Sequence, residues 1–250
     1  QIYVEQGRVA EAAEIIAAVQ DLVQQRRMGP RWHAAALRGR GLIALARGEW
    51  AAAVEHLEGA KAQDERAGIA RNLPKIHRLL AEAYSGRGDF AAARVHALAV
   101  KRLERGGGPI ETPGALRALG MIARERGTLK RAATLLEESR SLMALRRGSG
   151  EYARTLVELA RTAARMGRRE EARRLMEESL AIYRRLEALP LVQVWVGAIY
   201  HQGAGVLGHL MGDVAVDVQR GYERHVRPYG RADPGQRLAV AVRDVLRAHG

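Results

Sequence analysis

The sequence predicts an all-α solenoid built from antiparallel helix hairpins, and three observations carry that prediction. Gly7, Gly48, Gly88, Gly127 and Gly167 recur at intervals of 41, 40, 39 and 40 residues, each followed five positions later by an alanine (Ala12, Ala53, Ala93, Ala132, Ala172); a fixed period of this size marks a tandem array. On both sides of each glycine the apolar residues fall at i, i+3, i+4 spacing, which describes two amphipathic helices and not strands. Aromatic residues make up 4% of the chain while alanine, leucine and arginine dominate, a composition suited to helices packed closely through small side chains.

The elements follow in order. Gln1 to Gly7 read as the tail of a first helix, so the first hairpin is truncated and the chain is expected to be a fragment of a larger protein. The second hairpin shows the pattern in full: Leu37, Gly41 and Ala44 on one helix, Gly48-Glu49 at the turn, then Ala53, Leu57 and Ala60 on the next. Gly48 is suited to the left-handed conformation that ends a helix, and the acid after it suits the positive end of the helix that follows; Asp89 repeats the role after Gly88. Seven residues before the turn lie Gly41, Ala81, Gly120 and Ala160, small enough to let two helix backbones approach. Two after it come Val9, Trp50, Phe90 and Leu129, with Arg169 the exception, and nine after it Ile16, Leu57, Ala97, Leu136 and Met176, which are expected to fill the grooves between helices. Short polar breaks separate the hairpins at 26–30, 67–72, 105–113 and 147–150, the third, with Gly106-Gly107-Gly108-Pro109, reading as a loop that could also hinge.

A small residue, a turn glycine, an aromatic or aliphatic residue at plus two and an alanine at plus five together resemble the tetratricopeptide repeat, over residues 1 to about 188. The resemblance implies a right-handed superhelix of five hairpins with a concave groove, and a non-enzymatic protein-interaction scaffold. A period near 40 exceeds the ordinary repeat of about 34 residues; it is similar to the longer-helix variants in the sensor arms of large ATP-dependent bacterial transcription regulators, which implies a signalling or ligand-sensing domain of a cytoplasmic regulator. Beyond residue 188 the pattern departs. Gly212-Asp213 comes 45 residues after Gly167, with Asp217 where the alanine belongs, and Asp233-Pro234 opens a last amphipathic helix carrying Leu238, Val242, Val245 and Leu246. Residues 189–250 are therefore expected to form a degenerate sixth hairpin and a capping helix, because a solenoid must close its apolar end.

Composition narrows the chemistry. Without cysteine there is no disulfide framework, thiol nucleophile or cysteine-held zinc, in keeping with a reducing compartment. The eight histidines are scattered with no H-x-x-x-H, so no metal site and no cofactor is expected. Ser149, between Gly148 and Gly150, lacks the setting of a nucleophile elbow. Gly203-Ala204-Gly205-Val206-Leu207-Gly208 matches G-x-G-x-x-G, and Glu223 has the spacing of its acidic partner, but the residues before Glu223 do not form a buried strand and the chain offers no sheet to build on. Residues 188–212 lack Asp, Glu, Lys and Arg, a length able to span a bilayer, yet Pro190, two histidines and five glycines make a span costly. No membrane partner is expected; the apolar stretch 191–211 reads as a surface for a neighbouring domain or a second copy, a homodimer contact. Paired carboxylates such as Glu170-Glu171 sit beside Arg173 and Arg174 and suit the helix surface.

Net charge is +13, with 37 arginines among 41 basic residues, and the excess is concentrated at +6 within residues 101–150. Ten residues before successive turn glycines stand Arg38, Arg78 and Arg117, at a place that in tetratricopeptide folds faces the concave groove. Neighbouring groove positions add Lys75, Arg124, Arg154, Arg161 and Arg165, with Glu82, Glu125 and Val157 interrupting. Guanidiniums on stacked helices stand on the order of 10 Å apart, a ladder suited to carboxylates on an extended acidic protein segment. The asparagines of the carboxylate-clamp members are replaced by Leu42, Glu82, Met121 and Arg161. The alternative is nonspecific nucleic-acid or polyanion binding through the same arginines; few aromatics are available to stack bases.

Overall fold

The computed structural model describes residues 9–25, 27, 29–105 and 108–186, and these form nine α-helices with two single-turn 3-10 helices between them. The helices are α1 (Val9–Gln25), α2 (Pro30–Arg47), α3 (Trp50–Arg66), α4 (Leu73–Gly86), α5 (Phe90–Leu103), α6 (Thr112–Glu125), α7 (Leu129–Leu142), α8 (Gly150–Arg165) and α9 (Arg169–Arg185). Helix α1 packs against α2; α2–α3, α4–α5, α6–α7 and α8–α9 are complete hairpins stacked in chain order. The expectations for 189–250, including the sixth hairpin, the capping helix and the surface at 191–211, lie outside the described residues.

The turn glycines do what their spacing requires. Gly48, Gly88, Gly127 and Gly167 all have φ between 72° and 82°, the left-handed region where a side chain would be strained. Each turn closes with the same pair of backbone bonds, as in Gly48 N–H to Leu45 O at 3.1 Å and Glu49 N–H to Ala44 O at 2.9 Å. Such bonds satisfy carbonyls that a helix end leaves open. They recur at Asp89 to Tyr84, Thr128 to Ala123 and Arg168 to Ala163.

Small and large residues then pair across each hairpin. A Cβ added to Gly41 would lie 2.6 Å from Leu57 Cγ, and one on Gly120 would lie 2.6 Å from Leu136 Cγ. In the other two complete hairpins the pairs are Ala81 with Ala97 and Ala160 with Met176, each within one core cluster. The position seven before the turn thus receives the side chain nine after it. Leu57, Ala97 and Leu136 are wholly buried as a result, and burial of a leucine contributes about 2 kcal/mol. Between hairpins Trp50 at the start of α3 lies over Gly86 at the end of α4, where a Cβ would overlap the indole. The connection 104–111 is tied at its ends by one carboxylate: Glu104 accepts from Glu111 N at 2.8 Å and from Thr112 N at 2.9 Å, capping α6 from outside the helix.

Candidate functional site on the inner face

First helices of successive hairpins pack on one another, α2 on α4, α4 on α6 and α6 on α8, so they form the inner face of the stack. The arginines singled out from the sequence lie on these helices, and carboxylates lie among them. Arg78 of α4 runs its aliphatic stem across the backbone of Gly114. This gap lets Nε donate to Glu111 at 2.5 Å while Nη1 lies 3.6 Å from both Glu82 and Glu151. Arg117 of α6 meets Glu151 Oε2 at 2.7 Å and Glu82 at 3.7 Å. Arg154 of α8 pairs with Glu82, and with Glu151 at 3.3 Å. Three guanidiniums and three carboxylates therefore close into a neutral network across α4, α6 and α8.

A second group lies two turns further along α6 and α8. Glu158, 2% exposed, accepts from Arg124 and, at 3.1 Å, from Arg161. Arg124 also bonds Glu125 at 3.2 Å, and Arg165, more open, lies 3.6 Å from Glu125. Glu82 and Glu125, which break the ladder in sequence, are thus its counter-ions. Burial opposes ionisation of Glu158, but Arg124 and Arg161 outweigh it and hold the carboxyl at about 2. Glu151 is held well below the usual carboxylate range against its burial, by Arg117 and Arg78.

The remaining two sequence-selected cations lie towards the N-terminal end. Arg38 of α2 donates to the buried Asp64 of α3 at 2.8 Å, and Asn72 joins at 3.0 Å. Lys75, half-buried near the start of α4, is also engaged by neighbours. Beside it sits a cluster that sequence reasoning missed. His77 Nδ1 and His96 Nδ1 are 2.8 Å apart, His96 Nε2 is 3.3 Å from Glu58 Oε1, and Glu58 also takes Lys61 at 2.7 Å and the Tyr84 hydroxyl at 3.3 Å. Burial, then the charge of His77, drives His96 down to about 4. Among the described residues no group of histidines and acids is arranged to hold a metal ion.

At the centre of the inner face these side chains border a recess lined by Glu82, Gly114, Arg117, Ala118, Met121, Arg154 and Glu158. Its walls carry both charge signs and one flexible thioether. The pairing that shapes it had a signal in the sequence, a 33- or 34-residue spacing from arginine to glutamate: Arg78 to Glu111, Arg117 to Glu151, Arg124 to Glu158.

A stack of helical hairpins with a charged inner face defines a helical-repeat protein of the kind that presents an extended concave binding surface. The chain carries tetratricopeptide repeats: family models of that repeat match residues 74–99 and 111–185. No curated protein matches it in sequence. Its fold is similar to that in the crystal structure of BtubC (BKLC) from P. vanneervenii, at 17% identity and a TM-score of 0.53, over 92% of this chain and 94% of that one. The crystal structure of NprR in complex with its cognate peptide NprX matches at 15% identity and a TM-score of 0.43, over 95% of this chain and 83% of that one. Among the described residues no helix is long and apolar enough to cross a membrane.

Proposed function

We propose that the chain is a non-enzymatic interaction module that holds an extended segment of a protein partner along its inner face, as the sensing or scaffold part of a cytoplasmic regulator. The observation that supports it is the register of Arg78, Arg117 and Arg154 with Glu82 and Glu151 around a recess on three stacked helices. An extended chain advances about 3.3 Å per residue, so every third residue meets a new hairpin. A segment with carboxylates at that spacing competes with Glu82 and Glu151 for Arg154, and with Glu125 for the open Arg165; Arg38 and Lys75 extend the track towards the N-terminal end. Arg124 and Arg161, buried on Glu158, support the track from beneath. Binding that bridges hairpins favours one curvature of the arc and shifts the equilibrium of whatever is joined to it.

Charge reversal at Arg78 or Arg117 is a poor test, because it leaves buried carboxylates unpaired and unfolds the site. A photo-crosslinking residue at Met121, inside the recess, separates binding from stability. Irradiated in nuclease-treated host lysate, it is expected to capture one discrete protein, while the same residue at Arg131 on the outside of α7 is not. Capture from 131 and not from 121 overturns the reading. Retention that disappears with nuclease puts the polyanion alternative first.

A further inference from the structure

The arginines of the central inner-face network are paired one to one with carboxylates, so much of the excess charge of the chain is displayed elsewhere. Among the described residues the exposed large apolar side chains are Ile15 within α1, Val95 and Leu98 within α5, and six more: Leu22 at the end of α1, Trp32 at the start of α2, Leu103 at the end of α5, Ile110 before α6, Leu142 at the end of α7 and Leu145 after it. All six belong to one edge of the solenoid, where second helices pass the chain to the next first helix. The opposite edge, with the turns at Gly48, Gly88, Gly127 and Gly167, has none among the described residues. Leu145 is fully exposed and Ile110 is 68% exposed.

From α5 to α9 the connections along this edge are joined and basic, while towards the N-terminal end the exposed Asp21 and Glu65 stand among the apolar side chains. Arg146 Nη2 donates to Ile110 O at 3.5 Å, joining two connections, and a Cβ on Gly148 would lie 3.5 Å from Arg185 at the end of α9. Lys101, Arg102, Arg105, Arg146 and Arg147 lie exposed along it. Between 101 and 111 the two acids are occupied elsewhere, Glu104 on the start of α6 and Glu111 on Arg78.

We propose that this edge is a peripheral docking surface for an anionic lipid bilayer. Exposed aliphatic side chains and a tryptophan along one edge, with basic residues among them, fit a deformable apolar phase with an anionic surface. Basic residues beside them keep their heads at an anionic surface while their stems follow the apolar tips. Aliphatic side chains have no counterpart on a nucleic-acid backbone. The sequence alone gives no span and hence no membrane partner, but a surface contact requires none.

The test is co-sedimentation of the full 250-residue chain with vesicles of phosphatidylglycerol and phosphatidylcholine in equal parts, against phosphatidylcholine alone. Binding to the anionic vesicles is expected to be at least tenfold stronger. Ile110→Glu with Leu145→Glu should lower it at least tenfold at unchanged helicity. Lys130→Glu with Arg131→Glu, a larger charge change on the outside of α7, should alter it less than twofold. The proposal is overturned if the anionic vesicles bring down no protein, if the apolar pair of substitutions has no effect, or if both pairs weaken binding equally. Retention on heparin without vesicle binding overturns it too, in favour of soluble polyanions.

Discussion

Two junctions in this solenoid are built from buried polar groups, and they answer acid in different ways. Where α3 meets α4 and α5, the contact is the chain His77–His96–Glu58 with Tyr84 stacked on His96. Where α6 meets α8, it is Arg124, Glu158 and Arg161. Both satisfy buried polar atoms, as burial demands. The first depends on neutral imidazoles: two ring nitrogens 2.8 Å apart share a bond only if one donates and the other accepts. The second depends on an ionised carboxylate. A repeat array transmits little of one junction's stability to the next, so the two ends should fail separately.

The largest effect is expected from Glu158→Ala. It leaves Arg124 and Arg161 as buried cations without their shared partner, and removal of one member of a buried pair costs about 3–5 kcal/mol. Urea unfolding followed by circular dichroism should show the loss as a lowered midpoint or as an early separate transition. A change below about 1 kcal/mol would mean that water reaches the pair, and that the junction is no stronger than a surface bridge.

Acid sharpens the comparison. Burial and the charge of His77 hold His96 at about 4 in the folded chain, below the ordinary 6.5 of a histidine, and burial also lowers His77. The unfolded chain therefore binds protons first as pH falls. The stability held by neutral His96 is complete above 6.5 and is lost on the way down through 4, a change on the order of 3 kcal/mol. Glu58, Lys61 and Glu65 on α3 and Arg102 on α5 face the pair and shape its titration. Glu158, held at about 2 against the ordinary 4.5 of a glutamate, keeps its contribution above 4.5 and loses it between there and 2. Hydrogen exchange read by peptide should show 73–100 opening between pH 6.5 and 4 while 150–165 stays protected. Simultaneous opening would show that the array unfolds as one unit.

The parts of this structure legible in the sequence are those encoded within one hairpin. A turn glycine with positive φ and the pairing of Gly41 with Leu57 or Gly120 with Leu136 need only a fixed offset of 16 residues. The arginines too could be placed in register. Their partners could not, because Arg78 reaches Glu111 and Glu151 only through the gap left by Gly114, and that gap exists only once α4 and α6 are stacked. The histidine cluster was hidden for another reason: His77 and His96 are 19 residues apart on the two helices of one hairpin, with no ligand motif to connect them. A longer offset between the two helices of one hairpin carried information unused by the helical period. A 26-residue step links Arg38 to Asp64, the Pro113 carbonyl to Ser139 and the Ala153 carbonyl to Ser179.

The small–large pairing yields an intermediate effect. Gly120→Ala places a Cβ 2.6 Å from Leu136 Cγ and 3.4 Å from Ala132 O, and overpacking of this kind costs about 1–3 kcal/mol. Combined with Leu136→Ala, the same substitution should cost almost nothing beyond the cavity, since its neighbour is gone. Coupling between the two is the measurement. Additive costs would show that the limit at 120 is the approach of the backbones themselves, not the leucine.

The smallest effect separates two residues that the sequence treats alike. Glu49 and Asp89 both follow a turn glycine and both precede a second helix, at whose positive end an acid is favoured. Only the shorter side chain closes the cap: Asp89 Oδ1 accepts from Ala92 N at 3.1 Å, whereas Glu49 makes no such bond to α3. Asp89→Ala should therefore cost about 1 kcal/mol, and Glu49→Ala no more than about 0.5 kcal/mol, the part due to the helix dipole. Salt offers the control. Screening should erase most of the Glu49 effect, because its contribution acts through solvent, while the Asp89 cap, a bond between neighbours, persists at 1 M salt. If both substitutions cost the same and fade together, the dipole alone accounts for the acids after the turn and the cap contributes nothing of its own.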